Sequence, residues 1–213
     1  MTQRLVFGFH GLPGSGKDML ADYLVAHHGF TKMAFADRLK EEACRMFSVP
    51  ASVFDDRLLK TVPNARLSYD RCQFYPFIRY LLDCALSDGT TKWEGSIPRT
   101  PRQIMQKYGD FCRSRSPNYF VDTILSKIET TPGNVVVTDV RFDNEATAIY
   151  MPNGGLVFEI VRPENPFVEV PDNHASNARL LNCLISDTII NEGAPDVMYE
   201  AIERILKYFA ESS

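Results

Sequence analysis

Four stretches of the chain are apolar with little or no alternation, and each ends abruptly. Residues 5–9 (Leu-Val-Phe-Gly-Phe) carry no charged side chain and run into a glycine-rich turn. Residues 135–139 (Val-Val-Val-Thr-Asp) repeat the pattern with a carboxylate at the end, and 156–161 and 184–190 give two more such runs. A strand buried on both faces of a parallel sheet reads as a continuous run of this kind. A shorter one over 31–36 makes the expected sheet about five strands. Between these runs the period changes to that of a helix. From Lys17 onward Met19, Leu20, Tyr23, Leu24 and His27 recur on one face, and Gly29 supplies a stop. Leu39, Ala43 and Met46 do the same over 37–47, and Met198, Ile202, Ile205 and Phe209 over 195–209. A helix over 144–151 stops at Asn153-Gly154-Gly155. Strands alternating with helices predict an α/β domain whose parallel sheet is covered on both faces.

The stretch from Pro50 to Asp122 breaks this alternation. It predicts helices over 74–86, 102–111 and 118–128, joined by polar connections such as Ser87-Asp-Gly-Thr90 and closed by Thr130-Thr-Pro-Gly133. The expected organisation is one domain, with a core of about 1–48 and 133–213 and a helical insertion of about 49–132.

Composition narrows the picture. With 213 residues, 45% of them hydrophobic, the chain can bury a substantial core. A net charge of −4 argues against a duplex nucleic acid held on a broad basic surface. A small anion needs only a local cluster of positive charge. Five scattered cysteines without a Cys-x-x-Cys pair predict reduced thiols. No secretory signal and nothing near the roughly 20 apolar residues of a membrane span is visible. A soluble, cytoplasmic protein is expected.

The first strand leads into the strongest motif. Gly11-Leu-Pro-Gly14-Ser15-Gly16-Lys17 has the spacing of a phosphate-binding loop, between a strand and a helix as such a loop requires. The glycines let successive backbone N–H groups turn around phosphate oxygens. The helix N-terminus adds partial positive charge, and Lys17 reaches the outer phosphates. The expected ligand is ATP. Residue 18 is aspartate, where the general motif has a hydroxyl that ligates Mg²⁺. Asp18 either holds the ion, directly or through water, or sits favourably in the first turn of the helix.

Asp139 ends its strand at the carboxyl edge of the sheet, where ligands bind in open α/β folds. It is a candidate for Mg²⁺ or a water of its shell, or a turn residue. Arg141 is placed to clamp phosphate, and Asn144 and Glu145 either join the site or cap the next helix. His27, His28 and His174 show no catalytic partner, and no Ser-His-Asp arrangement is present. Phosphoryl transfer to another phosphate does not need one. With a second pKa of about 6, such an acceptor is largely a dianion at neutral pH and requires positioning and positive charge rather than a general base. Arg57, Arg66, Arg71 and Arg79, with Arg99, Arg102, Arg113 and Arg115, lie in the helical insertion and suit an acceptor-binding module with a lid over the phosphates.

With these residues in view, the chain resembles the deoxynucleoside monophosphate kinases of tailed bacteriophages, in order along most of its length. Gly16-Lys-Asp18 is similar to that family's form of the loop, in which aspartate is normal. Ala34-Phe-Ala-Asp-Arg-Leu-Lys40 is similar to its Phe-Ala-Asp-Pro-Leu-Lys segment, with Arg38 in place of the proline. Pro101-Arg-Gln-x-x-Gln106-x-x-Gly109, Arg113 and Asn118-Tyr-Phe-Val121 follow, Phe120 standing for a tryptophan. Thr138-Asp-Val-Arg-Phe-Asp-Asn-Glu145 is the most specific block. Gly154-Gly155, Val161-Arg-Pro163, His174-x-Ser176 and Asn191-x-Gly193 complete the series, with Asn177 replacing a glutamate. The resemblance implies a P-loop kinase fold with a helical NMP-binding and lid insertion, ATP with Mg²⁺ as donor, and a deoxynucleoside monophosphate as acceptor. It makes Lys40, Gln106, Arg113, Arg141 and Glu145 candidates for the acceptor site, and Lys17, Arg113 and Arg141 for catalysis. Base preference does not transfer, and oligomeric state stays open, a homodimer included. Other readings are a kinase of another small metabolite, such as phosphomevalonate or dephospho-coenzyme A, and a nucleotide-dependent switch protein without phosphotransfer.

Overall fold

The computed structural model describes residues 4–56, 58–89, 92–166 and 179–211. Arg57, Thr90, His174, Ser176 and Asn177, singled out above, lie outside the described residues. The chain divides into two compact units, Met1–Phe35 with Val121–Ser213, and Ala36–Phe120.

The first unit is built on five parallel strands: β1 (Val6–His10), β2 (Thr31–Met33), β3 (Val135–Val137), β4 (Leu156–Val161) and β5 (Asp187–Ile190). Their order is β2-β3-β1-β4-β5, so β1 runs between two neighbours that come much later in sequence. Gly8 of β1 stands opposite Val137 on one side and Val157 on the other. All five residues of β1 and all three of β3 are buried, which is why both read as unbroken apolar runs. The edge strand β5 buries only Ile189. It begins later than the apolar run suggests, because Asn182–Leu184 forms a 3-10 turn. The run at 31–36 yields only the short β2.

On one face of the sheet Phe7 packs edge-on against Phe158, with centroids 5.1 Å apart, and lies 5.3 Å from Phe30. Leu20, Ala21 and Leu24 of α1 (Lys17–His28) and Met198 and Ile202 of α8 (Pro195–Glu211) close over this cluster. Aromatic pairs at these separations add about 1 kcal/mol each beyond the area they bury. Helix α7 (Asp143–Asn153) buries Ala146 and Ile149. Arg4 fastens the start of the chain. Its guanidinium donates to the carbonyls of Ile128, Thr131 and Gly133 at 2.6–2.7 Å. A cation placed at the end of helix α6 (Tyr119–Thr130) satisfies carbonyls that the helix itself cannot.

The second unit is helical: α2 (Ala36–Phe47), α3 (Ser52–Asp55), α4 (Tyr75–Ser87), α5 (Pro101–Arg115) and the first two residues of α6. Helix α2, expected with the sheet, groups with these helices, burying Leu39, Ala43, Met46 and Phe47. The start of α5 is strongly specified. Thr100 Oγ1 accepts from the Gln103 N–H, Gln103 Oε1 accepts from the Thr100 N–H, and Pro101 follows the cap. Such a reciprocal cap contributes about 1 kcal/mol. All five cysteines are free thiols. Among the described residues no helix is long and apolar enough to cross a membrane.

Candidate functional site

Residues 11–16 leave the carboxyl end of β1, the middle strand, and enter α1 through Gly16. The backbone carbonyls of this loop are all engaged. Lys17 Nζ donates to the carbonyls of Gly11 (2.6 Å) and Leu12 (2.8 Å) and to Ser15 Oγ (3.3 Å). Asn165 Nδ2 donates to the Pro13 carbonyl at 2.9 Å, Arg162 Nη1 to Gly14 at 3.5 Å, and Asn191 Nδ2 to Ser15 at 2.8 Å. The Gly16 carbonyl accepts from the Leu20 N–H, the first turn of α1. In a planar trans peptide a carbonyl and the following N–H point in opposite directions. Carbonyls held by Asn165 and Asn191 therefore turn the Gly14 and Gly16 amides to the opposite side. Amides arranged in this way at a helix N-terminus form an anion-binding concavity.

Gly16 has φ of +109°, a left-handed conformation that only glycine adopts without strain. A Cβ there would lie 2.7 Å from Asn191 Nδ2 and 3.0 Å from Met198 Cε. Glycine at 16 is thus required by the backbone and by what packs behind it.

Around this loop stand the other charged candidates of the same unit. His10 ends β1, is buried, and lies with Nδ1 2.9 Å from the Val140 carbonyl. That acceptor fixes Nδ1 as the protonated nitrogen of a neutral ring. Burial is the chief cause that lowers its pKa. The Val140 hydrogen bond and Glu159 oppose the shift, while the charges of Lys17 and Arg141 add to it.

Asp139 lies just past β3, and its Oδ1 accepts from the Phe35 N–H at 2.7 Å. Asp18 is in the first turn of α1, with its carboxylate 3.2 Å from Lys32 Nζ, which also meets Asp22 at 2.9 Å. Lys32 has a raised pKa; burial opposes the shift, and hydrogen bonds and charge from Asp22 and Asp18 outweigh it. Glu145 is buried, and its Oε2 accepts from the N–H groups of Arg141 (2.8 Å) and Phe142 (3.2 Å). The capping role is seen in the structure: the Glu145 carboxylate fastens the chain entering α7. Among the described residues no group of three or more His, Cys, Asp and Glu side chains is disposed to hold a metal by itself.

In the helical unit, Lys40 Nζ pairs with Asp55 at 2.8 Å. Gln106 is half-buried on α5. Arg113, further along α5, lies with Cζ 5.1 Å from the centre of the Phe120 ring. Gly109 stands one turn before it, and a Cβ on Gly109 would meet Arg113 Nη1 at 2.8 Å. The glycine is what lets the guanidinium lie against the helix backbone. Arg38, where the resembling sequences carry proline, has a local reason. It donates to Glu42 Oε1 (3.0 Å) and Tyr119 Oη (2.9 Å), and its Cζ lies 4.2 Å from the centre of the Tyr119 ring. Tyr108 and Tyr119 both donate to Glu42, and the Tyr119 hydroxyl is pushed up to about 12, by burial first and then by Glu42.

Sequence reasoning overlooked His10 and Asn165 and saw Arg162 and Asn191 only as elements of a pattern. The local signal for Asn191, His10 and Arg162 was their place at the end of an apolar run; Asn165 lies in a polar, proline-flanked stretch without one.

No protein-family model matches the chain. It is similar to a protein of Acanthamoeba polyphaga mimivirus named "Putative deoxynucleotide monophosphate kinase", at 26% identity over 203 residues, covering 87% of each. Among solved structures it is similar to the crystal structure of TT1252 from Thermus thermophilus, with a TM-score of 0.46 and 12% identity over 97% of this chain and 98% of that one.

Proposed function

We propose that this protein is a deoxynucleoside monophosphate kinase, which transfers the γ-phosphoryl group of ATP to a dNMP and releases ADP and dNDP. The observation that carries the reading is the loop at the end of β1. Its Pro13, Gly14 and Ser15 carbonyls are held by Asn165, Arg162 and Asn191, and those of Gly11 and Leu12 by the Lys17 ammonium group. A distant relative whose name is that of a deoxynucleotide monophosphate kinase, matched over most of both chains, supports the choice of acceptor.

In this reading the loop amides and Lys17 bind the triphosphate. Lys17 exchanges its carbonyl partners for phosphate oxygens, which are stronger acceptors for an ammonium group. Arg141, held through its backbone by Glu145, contributes charge to the transferring group. Glu145 thereby acts as a positioning residue for Arg141. Lys40, Gln106 and Arg113 are the acceptor-binding candidates of the helical unit. Both carboxylates assigned to Mg²⁺ are hard oxygen donors. That ion is commonly held by one or two carboxylates, substrate phosphates and water. Asp18 and Asp139 fit that donor set, and Lys32 keeps Asp22 as a partner if Asp18 turns to the ion. When bound, Mg²⁺ would neutralise phosphate charge.

A coupled ADP-release assay with each dNMP, and with phosphomevalonate and dephospho-coenzyme A as rival acceptors, tests the reading. Turnover with at least one dNMP is expected. Turnover with only a rival acceptor would reassign the substrate. ATP binding without turnover on any acceptor would leave a switch protein.

Gly109→Ala is expected to separate stability from activity. Alanine is favoured over glycine inside a helix by up to about 1 kcal/mol. Its Cβ, however, would displace the Arg113 guanidinium. The variant should melt at or above the wild-type temperature, yet lose about tenfold in kcat/KM for the dNMP, as misplacing a positioning group does. Unchanged kinetics would remove Arg113 from the acceptor site.

A further inference from the structure

Asn191 is a buried polar side chain in a place where the sheet alone would not require one. It follows β5, its main-chain N–H donates to the Val161 carbonyl at 2.7 Å, and only 3% of its surface is exposed. Both ends of its amide are used. Oδ1 accepts from the Gly193 N–H at 3.0 Å, and Nδ2 donates to the Ser15 carbonyl at 2.8 Å. Burying an amide is favourable only when its hydrogen bonds are made, and here they join the turn after β5 to the phosphate loop, 176 residues away in sequence. Gly16 packs so closely behind it that a single methyl would reach 2.7 Å from Nδ2.

We propose that Asn191 is a positioning residue that presets the triphosphate loop. By holding the Ser15 carbonyl outward, it keeps the Gly16 amide turned inward before nucleotide arrives. This rests on the loop being the ATP site. Fixing a peptide unit in advance removes part of the ordering cost that binding would otherwise bear. Asn165 does the same for Pro13, but it is an outer brace, half-buried and beyond β4. Asn191 is the buried one, and it acts on the peptide that opens α1.

The experiment compares Asn191→Asp and Asn191→Leu with wild type. Aspartate keeps the acceptor for Gly193 and loses the donor to Ser15; leucine loses both without adding charge. In ligand-free protein, hydrogen exchange of the peptide spanning residues 11–17 should speed up at least tenfold in both variants, while exchange in β1 and β3 stays as in wild type. The KM for ATP should rise at least tenfold, with the dNMP KM within twofold. Loop exchange at the wild-type rate in either folded variant would overturn the proposal, as would an unchanged ATP KM. Should Asn191→Leu not fold, Asn191→Asp decides alone. The exchange measurement uses no ligand. Faster loop exchange in a protein that never turns over ATP would refute the kinase reading and leave the brace standing.

Discussion

Replacing Lys17 by alanine is expected to lower kcat/KM for ATP by about a thousandfold, the scale on which removing a charged donor from a phosphoryl- or acyl-transfer site acts. Stability should change far less. The ammonium group donates to two loop carbonyls, but it is only half-buried, and water can replace it. Each such bond contributes only about 1 kcal/mol net. Urea unfolding of Lys17→Ala should therefore lie within about 1–2 kcal/mol of wild type. A folded variant with full activity would take Lys17 out of the mechanism.

Gly16→Ala is expected to fail in both respects. At φ of +109° an L-residue is strained by about 1–3 kcal/mol, and its Cβ would drive into Asn191 and Met198. Met198 belongs to the packed cluster beneath the sheet, so the loop rather than the core should yield. In the proposed kinase, a shift of even about 1 Å in the amides that would face the phosphates costs on the order of a hundredfold in rate. By that same geometric sensitivity the KM for ATP should rise by roughly ten- to a hundredfold, and stability should fall by about 1–3 kcal/mol. A KM for ATP equal to wild type would show that the loop amides do not bind phosphate.

The elements nearest to expectation are those specified within a few residues. β4 spans Leu156–Val161 and α2 ends at Phe47, where the apolar pattern placed them. The departures have a common cause. Residues 184–190 are apolar enough for a longer strand, but Asn182–Leu184 turns instead, leaving Asp187–Ile190 to pair with β4 at the sheet's edge. Helix α2 follows the second strand in sequence yet packs with the helical unit, because a helix joins whichever unit covers its apolar face. No pattern within the helix names that partner. The site candidates divide in the same way. The loop was legible because a strand, a glycine spacing and a lysine are contiguous. That Glu145 caps the chain entering α7 was not, because a capping carboxylate and a ligand-binding one look alike in one dimension, and only the structure shows where Oε2 points.

What the sequence by itself determined is the set of local commitments. These are the apolar runs at 5–9, 135–137 and 156–161 that become buried strands, the periodic faces that become helices, and the Gly11–Lys17 loop that reverses the chain between the first strand and its helix. They follow from backbone sterics and the hydrophobic period, which act over a few residues. Only the tertiary structure decided what surrounds the loop. The order β2-β3-β1-β4-β5 puts the ends of β3, β4 and β5 in the same layer as the end of β1. It thereby brings Asn165 to Pro13, Asn191 to Ser15 and the Val140 carbonyl to His10. A hydrogen bond needs its partners within about 3 Å. For residues more than a hundred positions apart, that distance is set by strand order and register.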